Sequence, residues 1–99
     1  MQSHYDEQFD REMGCTEREW LASVPRALAG HPQQLEGQTL TVRIGGGTLR
    51  LSWRVGEPRV IALARIPRLL VHFAFAGLDD AQRLAFMRRF DLYMQRGGG

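Results

Sequence analysis

Residues 38–55, QTLTVRIGGGTLRLSWRV, decide the fold. Leu40, Val42 and Ile44 alternate with Thr41 and Arg43. After Gly45, Gly46 and Gly47 the alternation resumes, with Leu49, Leu51, Trp53 and Val55 set against Arg50, Ser52 and Arg54. A period of two belongs to a β-strand with one buried face. Glycines between two such runs supply the positive φ of a hairpin loop. The stretch therefore predicts an antiparallel hairpin with an apolar and a polar face. Its glycines are not a phosphate loop, which would lie between a strand and a helix and end in Gly-Lys-Ser/Thr.

Towards the C-terminus, Gly56-Glu57-Pro58 marks a turn. A third strand is expected at about 59–65 and a fourth at about 68–76, with Ile66-Pro67 as the connection, because proline cannot donate to a ladder. Leu69, Val71, Phe73 and Phe75 form the bulky face of the fourth strand. Asp79 or Asp80 then caps a helix to about Arg96, whose core stripe holds Phe86, Met87, Phe90, Tyr93 and Met94. Leu84 and Leu92 fall outside that stripe, on a narrower second patch.

Towards the N-terminus, Thr16-Glu-Arg-Glu19 is a capping box. It opens a helix with Trp20, Leu21, Val24 and Leu28 on one side, interrupted near Val24 by Pro25 and stopped by Gly30 and Pro32. Residues 1–15 read as an acidic segment, either disordered or a short helix from Ser3 carrying Tyr5, Phe9 and Met13 every four residues. The reading is a single α+β domain over 16–96, followed by a flexible glycine tail at 97–99. Its order is α-β-β-β-β-α, a two-layer sandwich of a four-stranded antiparallel meander with both helices on one face. That order is similar to the double-stranded RNA-binding fold in sequence of elements alone, and none of that family's motifs is present.

The chain has 99 residues, 43% hydrophobic and 24% charged, with a formal net charge of +2. It contains no run of the roughly 18 apolar residues a membrane span needs, and its acidic start gives no signal peptide. One cysteine suits a reducing, cytoplasmic setting. All thirteen basic residues are arginine, and lysine and asparagine are absent, as a GC-rich bacterial genome would produce. Residues 1–36 hold seven acids and three arginines; residues 37–99 hold ten arginines and four acids. Such asymmetry points to an anionic partner for the second half, or to the two halves attracting each other.

Function is sought on the outer face of the sheet. Strands one and two place Arg43, Arg50 and Arg54 there, and strands three and four place Val60, Ala62, Ala64, Leu70, His72 and Ala74 there. The second group is too apolar for a free surface and is read as a partner-binding patch, with Leu84 and Leu92 as a further contact. The partner would be a second copy or another protein, making the chain a non-catalytic interaction module, a homo-oligomer or an accessory subunit. The alternative is nucleic-acid backbone binding through Arg43, Arg50 and Arg54. Base stacking is not expected, because the tryptophans and phenylalanines fall on core stripes or on the first segment.

No catalytic residue, metal or cofactor is expected. His4, Asp6, Asp10 and Cys15 match no known metal spacing. His72 has no sequence-visible catalytic partner, and Asp79-Asp80 is explained by a helix start. The terminal glycines are shared with ubiquitin-like carriers, but here they follow a helix where those proteins have a strand.

Overall fold

The computed structural model describes residues 3–97. The decisive hairpin forms as read: β3 (Thr39–Ile44) pairs with β4 (Gly47–Val55), Leu40 opposite Leu51 and Val42 opposite Leu49. Gly45 takes φ +56 in the loop. Gly47 has a different task. It sits in β4, where a Cβ would run into the carbonyl oxygen of Ala76 and come within 2.8 Å of that of Gly77. Absence of a side chain lets β4 meet the end of β7 (Leu69–Ala76).

With β1 (Gln8–Met13) and β2 (Gln33–Glu36) at its edges, the five-stranded antiparallel sheet has the order β1-β7-β4-β3-β2. Its meander, β2-β3-β4-β7, differs from the expected one at both ends. Strand β2 (Gln33–Glu36), unforeseen in the sequence, turns into β3 through Gly37 at φ +59. The expected third strand does not join the sheet. Residues 59–66 instead fold on themselves as β5 (Arg59–Ile61) and β6 (Ala64–Ile66), a separate two-stranded hairpin. Both parities of Val60-Ile61-Ala62-Leu63-Ala64 are apolar, so neither defines a core face. The bulkier row of β7 takes the edge of β4, with Leu49 opposite Phe75, Leu51 opposite Phe73 and Trp53 opposite Val71. A bond from Gly56 N–H to the Arg68 carbonyl, 2.9 Å, closes the base of the excursion.

The N-terminal segment is a strand, not a helix. β1 (Gln8–Met13) pairs antiparallel with the free side of β7, Phe9 opposite Phe73 and Arg11 opposite Val71. A spacing of four fits both a helical turn and two β periods, so Tyr5, Phe9 and Met13 could not distinguish them. Burial settles it: Phe9 stacks on Phe73 with centroids 4.6 Å apart.

Both helices cover the apolar face. In α1 (Glu17–Ala27) the capping box is present: Glu19 N–H donates to Thr16 Oγ1 at 3.1 Å, and Thr16 N–H donates to Glu19 Oε1 at 2.9 Å. The helix runs through Pro25 instead of breaking there. The Gln33 side chain caps its end, donating to the Pro25 and Leu28 carbonyls at 3.0 and 2.9 Å. α2 (Asp80–Gly97) opens with a reciprocal cap between Asp79 and Gln82. Trp20 meets Trp53, and Phe86 and Phe90 meet Phe75 and Phe73 edge to face. Buried Arg83 ties the layers by donating to the Tyr5 and Leu78 carbonyls at 2.8 and 2.6 Å. Of the expected glycine tail, Gly97 ends α2, and Gly98 and Gly99 lie outside the described residues.

Candidate functional site

The proposed partner patch is split three ways. Leu70, His72 and Ala74 do lie on the outer face of β7, each half-buried. Val60, Ala62 and Ala64 do not join them, because their hairpin stands off the sheet. Leu84 packs against the core, whereas Leu92 on the same helix is exposed. No continuous apolar half-face forms on the sheet. The exposed apolar surface is instead the β5–β6 hairpin: Val60 and Ile61 are more than half exposed and Leu63 is fully exposed at the tip. The first of its two turn residues, Ala62, takes φ +53, a conformation that usually falls to glycine.

A second apolar surface lies at the opposite edge of the main sheet. Trp20, Leu21, Val24, Pro25, Leu35 and Leu40 line a groove of about 250 Å³ between α1 and the β2–β3 pair. Leu21 and Leu35 form its exposed rim, and β2 beside it is an edge strand. The buried indole N–H of Trp20 has no hydrogen-bond partner among the described residues.

The outer face carries polar side chains in register across the strands. One row reads Asp10, His72, Ser52, Thr39, Glu36 from β1 to β2, and the next reads Gln8, Ala74, Arg50, Thr41, Gln34. His72 Nδ1 lies 2.7 Å from Asp10 Oδ1. An ionised carboxylate only accepts, so Nδ1 carries the proton and Nε2 is turned away from Asp10. Nε2 makes no hydrogen bond among the described residues, to Ser52 or to any other group, so the Ser-His-Asp row is not an assembled nucleophile. Glu12, on the same face of β1, is held by Arg59 at 2.7 Å and Arg68 at 2.9 Å. Its bond with Arg68 comes first among the contacts that hold its carboxyl below the usual range. Arg43, Arg50 and Arg54 stand on this face with no ion pair among the described residues, but Asp10, Glu12 and Glu36 are interspersed with them.

Sequence reasoning missed the Asp10–His72 pair, since the two residues are 62 positions apart and β1 was expected as helix or coil. It also underrated the inner face of β1. Arg11 reaches Asp91 of α2 through bonds of 2.6 and 3.0 Å, beneath the rings of Tyr5, Phe9 and Phe73. Alternation of Phe9, Arg11 and Met13 was the available signal. The four residues weighed for a metal are not gathered: His4 pairs with Asp6, Asp10 turns to His72, and burial pushes the Cys15 thiol up. Among the described residues no cluster of three metal-ligating side chains occurs, and no helix is long and apolar enough to cross a membrane. Comparison with protein-family models, curated proteins and solved structures found no match to this chain.

Proposed function

We propose that this chain is a small, non-catalytic cytoplasmic interaction module of bacterial type that self-associates, the β5–β6 hairpin of one copy seating in the α1–β2 groove of another. The observation that carries the reading is Leu63, a large aliphatic side chain fully exposed on a projecting hairpin, with Val60 and Ile61 beside it. Contiguous exposed apolar groups of this kind mark contact sites. The same chain offers a receptor of matching chemistry, an apolar groove of about 250 Å³. An edge strand runs along that groove, open to added backbone hydrogen bonds. Reciprocal exchange about a two-fold axis closes the assembly at two contacts.

Sedimentation of Leu63→Glu, of Leu35→Glu and of their equimolar mixture tests this. Both residues are exposed, so the fold tolerates the changes. Each variant alone should be monomeric, while the mixture, with one intact hairpin and one intact groove, should pair. A wild type that is monomeric at about 100 μM, a concentration that would half-saturate a contact of only −5 to −6 kcal/mol, overturns self-association. So does a mixture that stays monomeric although the wild type pairs.

A further inference from the structure

The outer sheet face is distinct from the hairpin and groove, and it is not flat. Ser52, Arg54, Leu70 and His72, with Asp10 and Glu12 on the edge strand, line a depression of about 560 Å³. Across Ser52 it continues into a second of about 440 Å³ lined by Gln34, Glu36, Thr39, Thr41 and Arg50. We propose that this double depression binds a hydroxyl-rich phosphomonoester of the sugar-phosphate type, the phosphate between Arg54, Ser52 and His72 and the polyol over Thr39, Thr41 and Gln34.

The first depression suits a phosphate monoester because two donors and an imidazole nitrogen surround it. The Arg54 guanidinium has no carboxylate partner among the described residues, the Ser52 hydroxyl rotates freely, and His72 Nε2 is unoccupied. Asp10 acts on the ligand only through His72: by holding Nδ1 it orients the ring and leaves Nε2 to accept from a phosphate hydroxyl. Glu12, the other acid in the lining, is already bonded to two arginines. Leu70 supplies an apolar floor, as ligand sites commonly have. The second depression suits hydroxyl groups because its lining alternates donors and acceptors. None of its lining residues is aromatic, which disfavours a nucleobase that would need a ring to stack on.

The experiment is a titration of the full-length protein with glucose 6-phosphate, inorganic phosphate and glucose, followed by amide and imidazole NMR shifts. Glucose 6-phosphate should saturate, shifting Ser52, Arg54, His72 and Thr41 together, and should bind more tightly than either fragment. Arg54→Gln should weaken glucose 6-phosphate about tenfold or more, the loss of a charge-assisted contact. Thr41→Val should weaken it while leaving inorganic phosphate unchanged. Leu63→Glu should bind like wild type, so failure of the association reading does not touch this one. Absence of saturation by about 10 mM, the limit of weak specific binding, overturns the proposal. Equal affinity for inorganic phosphate overturns the polyol subsite. An oligonucleotide that binds the same residues and is not displaced by glucose 6-phosphate overturns the ligand class.

Discussion

Strand β1 brings Asp10 to His72, and its own attachment depends on an interaction on the opposite face, so Asp91→Ala should loosen the outer site from a distance. The Asp91 carboxylate accepts from Arg11 Nη1 at 2.6 Å, from Arg11 Nη2 at 3.0 Å and from the Tyr5 hydroxyl at 2.9 Å. Removing it strands the Arg11 guanidinium under three aromatic rings. Breaking a fully buried pair costs about 3–5 kcal/mol, and an exposed pair is worth about 0–1 kcal/mol. The Arg11 and Asp91 side chains are 25% and 29% exposed. Water therefore recovers part of the loss, and about 2 kcal/mol is expected. With a urea slope near 1 kcal/mol/M for so small a domain, the midpoint should fall by about 2 M at unchanged slope. Amide exchange of residues 8–13 should accelerate before that of β4, and the His72 imidazole signal should move as Asp10 departs. Asp91→Asn, which keeps one acceptor oxygen, should lie between. A loss below about 0.5 kcal/mol, within the range of ordinary surface substitutions, would refute the reasoning. Protection lost evenly over the sheet would refute it too.

The glycine loop yields a sharper contrast. Gly47→Ala should cost about 3 kcal/mol in urea denaturation, because its Cβ meets backbone oxygens of residues 76 and 77 that cannot turn aside. Gly46→Ala, with nothing within 4 Å and no positive φ, should stay within about 0.5 kcal/mol of wild type. Equal effects would disprove the close approach of β4 to β7. Acid should weaken the fold through three carboxyls held below 4.5: Glu12 by Arg68 foremost, Glu17 by Gln38 and Trp53, and Glu19 by the Thr16 backbone. A folded-state pKa below the unfolded one contributes stability that is present above about pH 4.5 and disappears as pH falls through the lowered value. Thermal midpoints across pH 7 to 3 should therefore hold level and then drop, and Glu17→Gln should flatten the drop. A profile unchanged by that substitution would remove Glu17 from the account.

The caps of α1 and α2, the β3–β4 hairpin and the inward row of β7 could be read from the sequence because each is a local pattern. Thr16 and Glu19 bond to each other's backbone within one turn, and Leu49, Leu51 and Trp53 need only the period of their own strand. Where a pattern fits two structures, tertiary packing made the choice. Tyr5, Phe9 and Met13 suited a helix as well as a strand until Phe9 found Phe73 across an open sheet edge. Residues 59–66, apolar on both sides, could not hold a place beside β4 against the larger side chains of β7, so they fold on themselves and leave Leu63 in solvent. The pairing of Asp10 with His72, and of Arg11 with Asp91, joins chain segments more than sixty residues apart. Spacing along the chain carries no information about such contacts, because they exist only once the strand order β1-β7-β4 is set by the burial of other residues.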